Sequence, residues 1–333
     1  MRYSFPILRA FYGLALHIRH WLYDDRLLPS QSHKIATICV GNLAVGGTGK
    51  TPHVEYLVQT LSQAHHIALL LRGYGRKTRG FLLADADSTA NTIGDEAMQL
   101  HRKFPNIPVA VCENRNKGVK QLQRMYPDLQ AVILDDAMQH RAIRCGLTVL
   151  LTAQDNLYID DHLLPYGRLR DLKHRSLSAQ AVIVTKCPDT FRPIDKRVVD
   201  NRLRLPAFQQ LYFSKMVYPE LPKGFKKPLV LAGIADPKPF FEHIRAEYPQ
   251  AQLLAFRDHH RFTKRDIRRL TDMLPNYDVV FTTEKDYERI LLTPLPEMLG
   301  DKLVTVPIQV ELDQPELLSR QIGIYLNETL RKK

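Results

Sequence analysis

The stretch Gly41-Asn42-Leu43-Ala44-Val45-Gly46-Gly47-Thr48-Gly49-Lys50-Thr51 follows an apolar run at residues 35–40 and leads into a helical pattern. Glycines at 46, 47 and 49 let a backbone curl until successive N–H groups point at one anion, helped by the positive end of the helix behind them. In such a loop Lys50 reaches the β- and γ-phosphates of a nucleoside triphosphate, and the Thr51 hydroxyl ligates Mg²⁺. The cradle is therefore Gly46, Gly47, Thr48, Gly49, Lys50 and Thr51. The strict G-x-x-x-x-G-K-[ST] spacing asks for glycine where Ala44 stands, but the tail is intact. Pro52 suits the first helical turn, where its missing N–H has no bond to make.

Working outward, short Val-, Ile- and Leu-rich runs recur at 35–40, 67–71, 109–112, 131–134, 147–151 and 181–185. Continuous apolar runs of that length are strands buried on both faces, so the expected fold is α/β, a P-loop NTPase-type parallel sheet with helices on both faces. Val54, Leu57, Val58 and Leu61 give the helix after the loop one apolar stripe. A second series, at 229–232, 253–256, 279–282 and 303–306, follows a polar stretch at 218–228. Within it Thr263 and Asp266 form a capping box ahead of Ile267, Leu270 and Leu274. A chain of 333 residues exceeds one core. The expected division is an N-terminal amphipathic helix (1–28), a nucleotide-binding domain (29–215) and a smaller C-terminal α/β domain (216–333).

In residues 5–22, Ile7, Phe11, Leu14, Ile18 and Trp21 share one helical face, with Arg9 and His20 roughly opposite. His17, Arg19 and His20 crowd that stretch and no small-residue cleavage site follows, which argues against a signal peptide. Two readings stay open: a helix packed on the protein's own core, or one lying in a membrane interface with Trp21 at headgroup level. No apolar run approaches the roughly 20 residues needed to span a bilayer. The 47 Lys and Arg against 35 Asp and Glu, a net +12, favour an anionic partner: nucleic acid, a phosphorylated ligand or an acidic membrane. Cys39, Cys112, Cys145 and Cys187 form no CxxC pair, and free thiols in a reducing cytosol are expected.

A phosphate loop needs a second metal anchor, usually an acidic residue ending a buried strand. The run at 131–134 ends in Asp135-Asp136, two carboxylates that repel unless a cation or donor holds them. Asp95, in Gly94-Asp95-Glu96, stands at a helix start, as a cap or a catalyst. Asp258-His259-His260 ends another apolar run and is an acid–base candidate, with no third residue at metal-ligand spacing. Arg72-Gly73-Tyr74-Gly75-Arg76-Lys77 and Leu164-Pro165-Tyr166-Gly167-Arg168-Leu169-Arg170-Asp171 follow strands, where ligands of open α/β sheets bind and arginine clamps phosphate. Thr185-Lys186-Cys187-Pro188-Asp189 approaches the guanine-reading [NT]-K-x-D element, but Pro188 occupies the aspartate position, which favours ATP. Two rivals remain at this point: a P-loop GTPase or metallochaperone-type switch, and a nucleic-acid-dependent ATPase.

Taken in order, these elements resemble the tetraacyldisaccharide 4′-kinase family, which phosphorylates the lipid A disaccharide precursor in Gram-negative bacteria. The resemblance rests on Val40-Gly41-Asn42 with Gly46 to Pro52, Arg72-Gly73-Tyr74-Gly75-Arg76, Gly94-Asp95-Glu96, Asp135-Asp136 with Gln139-His140-Arg141, and Leu164-Pro165 with Gly167 and Leu169-Arg170. It ends with Phe256, Asp258-His259 and Thr282-Thr283-Glu284-Lys285-Asp286, so it covers nearly the whole chain. It implies ATP- and Mg²⁺-dependent phosphorylation of the 4′-hydroxyl of a tetraacyldisaccharide 1-phosphate, giving the bisphosphorylated precursor. Asp95 would be the general base and His259 its partner. Lys50, Thr51, Asp135 and Asp136 would manage the γ-phosphate and metal, and Arg72, Arg115, Gln139 and Arg170 would line the substrate site. Residues 5–22 would be the family's membrane-associated helix, placing the protein peripherally on the cytoplasmic face of the inner membrane. That reading calls for no nucleic acid and no obligate protein partner. Two departures stand out: Ala137 and Met138 replace the usual Gly and Phe, and Asp171 stands where Glu is usual.

Overall fold

Ala36–Asn42 is buried along its whole length because strands flank both its edges and helices cover both its faces. The structure is a computed structural model that describes residues 4–331. Residues 1–3 and 332–333, and the side chains of residues 4–7 including Ile7, lie outside what it describes. The chain runs α1 (Ser4–Asp24), β1 (Ala36–Asn42), α2 (Lys50–Leu61), β2 (Ile67–Leu71), β3 (Leu82–Leu83), α3 (Ala90–Ile93), α4 (Asp95–Lys103), β4 (Val109–Val111), α5 (Arg115–Met125) and β5 (Ala131–Asp135). Then come β6 (Leu147–Ala153), β7 (Ala181–Thr185), α6 (Pro193–Leu203), β8 (Gln210–Val217), β9 (Pro228–Ala232), α7 (Lys238–Glu247) and β10 (Gln252–Ala255). The last elements are α8 (Lys264–Met273), β11 (Val279–Thr283), α9 (Glu284–Ile290), α10 (Leu295–Leu299), β12 (Leu303–Val306), β13 (Gln309–Leu312) and α11 (Pro315–Leu330).

Nine strands form the large sheet in the order β13-β8-β7-β6-β1-β5-β2-β4-β3, and four parallel strands form the small one, β10-β9-β11-β12. Only the two edges of the large sheet, β3 and β13, run antiparallel to their neighbours. Alternation along β1 sends Ala36, Ile38 and Val40 to one core and Cys39 to the other. The first core holds Val54, Leu57, Val58 and Leu61 of α2. Burial of each of those four side chains contributes about 1.5–3 kcal/mol, which fixes the helix behind the loop. Phe240 and Ile244 of α7 cover one face of the small sheet, and Leu270 of α8 with Leu295 of α10 covers the other.

The expected 216–333 unit needs correction at its end. Gln309–Leu312 pairs with β8 in the large sheet, and Leu318, Ile322 and Leu326 of α11 pack into the core beside α2. Polar Gln309 and Glu311 hide that strand in the sequence, as suits a sheet edge facing solvent. All four cysteines are free, and three of them are buried.

Candidate active site

The phosphate loop leaves β1 at Asn42, whose amide donates to Thr48 Oγ1 at 2.8 Å. The Thr185 hydroxyl donates to the Thr48 carbonyl at 2.9 Å, so the failed guanine motif braces the loop from the end of β7, with β6 lying between β7 and β1. Gly49 (φ 81°) precedes the first turn of α2, and a Cβ there would run into the Met216 methyl group. Ala44 forms an antiparallel bridge with Leu169, flanked by Val45 N–H to Arg168 O and Arg170 N–H to Leu43 O, both 2.8 Å. Extended backbone needs no glycine, which explains the departure at 44. Behind the loop, His53 lies buried between the Gly49 carbonyl (2.7 Å) and Ser214 Oγ (2.9 Å). Burial pushes its pKa down to about 4.

Asp135 and Asp136 sit at the end of β5, the strand beside β1. Asp136, in left-handed conformation (φ 49°), takes a fork of bonds from Arg170, one at 2.9 Å, and lies 4.0 Å from Lys50 Nζ. Burial alone would raise its pKa; the Arg170 bond and the Lys50 charge overcome that and lower it. Asp135 differs: its Oδ1 is buried without a protein partner. Desolvation, with Glu96 and Asp136 nearby, pushes its pKa up to about 7. Arg115, buried beneath, donates to the carbonyls of Cys112 and Asp135. Gln139 donates to the Asn42 carbonyl at 2.8 Å, and exposed Arg72 lines the cavity above.

Opposite this wall, Asp95 opens α4. Its Oδ2 meets His259 Nδ1 at 3.0 Å and Arg289 Nε at 2.9 Å, while Oδ1 accepts the Glu96 N–H at 3.0 Å. Burial works to raise its pKa, but the His259 bond and the charges of Lys285 and Arg289 hold it well below the usual carboxylate range. Lys285 Nζ lies 3.0 Å from His259 Nε2 and 3.2 Å from Glu96. An ammonium can only donate there, so Nε2 presents its lone pair and Nδ1 carries the proton towards Asp95. His260 turns away to Asp266 at 3.0 Å.

A cavity of about 910 Å³ joins the two walls, lined by Lys50, Asp135 and Arg170 on one side and by Glu96, His259 and Lys285 on the other. Asp95 is buried behind His259 and does not line it. Asp136, Lys186 and His259 all line the cavity with positive φ (49°, 60° and 55°), the kind of backbone strain that collects at functional sites. Arg289 reads in the sequence as an ordinary helical arginine, and only the fold buries it between Asp95 and Asp286. Lys285 stands in the Thr282-Thr283-Glu284-Lys285-Asp286 motif, and its role emerges only where the fold brings it to His259. Ala137 and Met138 are buried, and Met138 packs so closely on Gly41 that a Cβ there would lie 2.8 Å from its own. Asp171 is fully buried and bonded to His20, away from the cavity.

Among known proteins, the family model for tetraacyldisaccharide-1-P 4′-kinase (LpxK) matches residues 2–324. The tetraacyldisaccharide 4′-kinase of Bacteroides thetaiotaomicron is 40% identical over 96% of this chain and 92% of its own length. That of Flavobacterium johnsoniae is 42% identical over 84% of each. A crystal structure of LpxK from Aquifex aeolicus in complex with ATP matches with a TM-score of 0.74 over 98% of this chain and 99% of that one; at 22% identity it shows a shared fold. The chain belongs to the tetraacyldisaccharide 4′-kinase family.

Proposed function

We propose that this protein transfers the γ-phosphate of ATP to the 4′-hydroxyl of a tetraacyldisaccharide 1-phosphate. The observation that carries the reading is the single cavity in which the Lys50–Asp136–Arg170 wall faces the Asp95–His259 pair. The acceptor oxygen bonds to the γ-phosphorus as the bond to ADP breaks, and the hydroxyl proton passes to the base pair. His259 lines the cavity with Asp95 behind it, so once the acceptor hydroxyl replaces Lys285 at Nε2 the imidazole takes the proton and the carboxylate stabilises the cation that forms. Lys50 and Arg170 carry the positive charge that steadies the transferring phosphoryl group.

Among the described residues no group of three or more His, Cys, Asp or Glu is arranged to cage a metal. Mg²⁺ is usually held by one or two carboxylates together with substrate phosphates and water, and the orphaned Asp135 Oδ1 suits that demand. Thr51, Asp135 and Asp136 would hold the ion, which when bound neutralises charge on the β- and γ-phosphates. Gly46 to Thr51 cradle the phosphates, while Arg72, Arg115 and Gln139 shape the walls. The nucleotide-binding unit comprises residues 29–217 with 309–331, and the smaller unit residues 218–308.

Among the described residues no helix is long and apolar enough to cross a membrane. α1 instead exposes Phe11, Leu14, Ile18 and Trp21, an outward apolar face that supports docking in the interface of an anionic leaflet. Terminally labelled ATP, Mg²⁺ and a lipid disaccharide 1-phosphate should yield a labelled bisphosphorylated lipid. Preference for GTP, or label released only as inorganic phosphate in a nucleic-acid-stimulated reaction, would sink the reading.

A further inference from the structure

Three donors on the inner face of α1 reach the backbone and buried carboxylate of segments that build the phosphate wall. Tyr12 Oη donates to the Arg170 carbonyl at 2.9 Å, and Arg19 Nη2 donates to the Gln139 carbonyl at 2.6 Å. His20 Nε2 meets Asp171 Oδ1 at 2.5 Å, with side chains only 2% and 0% exposed. Arg141 Nη1 donates to His20 Nδ1 at 3.0 Å, which leaves Nε2 as the donor to Asp171. Asp171 Oδ1 also accepts the Leu172 N–H at 2.8 Å, while its Oδ2 has no partner, so losing His20 would strip a buried carboxylate further.

The side chains of Arg170 and Gln139 run on to one place. Arg170 grips Asp136 and the Asn42 carbonyl, and Gln139 donates to that same carbonyl at the root of the phosphate loop. The opposite face of the helix carries the exposed Phe11, Leu14, Ile18 and Trp21. One rigid rod therefore has apolar side chains on one side and the supports of the phosphate wall on the other.

We propose that α1 is a positioning element for phosphoryl transfer as well as an anchor, with Tyr12, Arg19 and the His20–Asp171 pair as its positioning residues. The inference rests on the kinase reading above. Seating the apolar face in a lipid surface holds the rod in place, and the rod holds Arg170 and Gln139 against Asn42 and Asp136. Displacements of about 1 Å at a reacting centre can cost on the order of 10²-fold in rate, so the effect belongs in kcat.

Tyr12→Phe, His20→Ala and His20→Gln are assayed for kcat, for the KM of ATP and for partitioning into anionic phospholipid vesicles. Tyr12→Phe removes a single donor and should lower kcat about 3–10-fold. His20→Ala should lower it roughly 30-fold, with partial recovery in His20→Gln, whose amide can still donate. Partitioning and the KM of ATP should stay within about twofold of the unsubstituted enzyme. Unchanged kcat in Tyr12→Phe, or a fall that tracks lost vesicle binding, would overturn the proposal; Tyr12→Phe decides the matter if His20→Ala does not fold. Failure of the unsubstituted enzyme to phosphorylate the lipid would instead overturn the kinase reading, and this inference with it.

Discussion

At one end of the cavity the phosphate loop is a contiguous run, residues 46–51, whose chemistry resides mainly in backbone N–H groups and one lysine. At the other end Asp95 meets His259 and Arg289, which lie 164 and 194 positions further along the chain. The first half can form from local sequence and one helix start. The second exists only when α9, the helix that follows β11 of the small sheet, docks on α4, through Arg102–Glu288 at 2.7 Å, Lys103–Glu284 at 3.0 Å and Arg289–Asp95 at 2.9 Å. Charge follows the same division. Asp135 is desolvated with an oxygen left over for a ligand, whereas both Asp95 oxygens are engaged.

The sharpest way to break the donor half is Lys50→Ala. Transfer should fall about 10³-fold, the upper range for losing one preorganised electrostatic group, with weaker ATP binding by calorimetry. Intact turnover would remove Lys50 from the phosphate wall. Arg289→Gln attacks the other half and should reduce kcat by about 10–100-fold while the KM of ATP stays put, since one charged bond to Asp95 is lost. A matching loss of ATP affinity would mean that the halves are not separable.

Stability offers a gentler comparison. The folded-state pKa of His53 is about 4, against an ordinary value of about 6.5, so the unfolded chain takes the proton first. Its contribution is fully present above pH 6.5 and is lost as pH falls towards 4, by roughly 3 kcal/mol in all. Denaturant titrations of His53→Asn should show a correspondingly flatter acid limb; an unaltered slope would mean that His53 is not buried neutral. The smallest effect is expected at the surface. Phe11→Ser and Trp21→Ser, made singly, should each reduce vesicle partitioning about 10-fold, because one ring removed from lipid forfeits about 1.5 kcal/mol, the lower end for burying such a side chain. Unchanged partitioning would leave those residues as ordinary exposed side chains.

The contrast also explains what could be read in advance. Strand bounds at 67–71, 181–185 and 303–306 agree with the structure because apolar runs and turn residues are local signals. The Thr263–Asp266 capping box is present for the same reason. Gln210–Val217 and Gln309–Leu312 escaped because strands near an open edge mix polar and apolar residues. Lys50 declares itself through neighbours at fixed offsets. Arg289 and Lys285 could not, since their meaning comes from an element folded against them. Asp171 belongs to a motif segment, yet burial gives its carboxylate to His20 rather than to the cavity. Likewise the apolar stripe of residues 5–22 fitted either core or membrane until the structure turned Phe11, Leu14, Ile18 and Trp21 outward.

Asp95→Asn tests the separation of the two halves most directly, with ATP binding and single-turnover transfer to the lipid measured on one preparation. ATP affinity should match that of the unsubstituted enzyme while transfer falls on the order of 10²–10⁴-fold. Transfer at near-normal rate, or binding and transfer lost together, would contradict an account in which Asp95 and His259 form a base distinct from the phosphate loop.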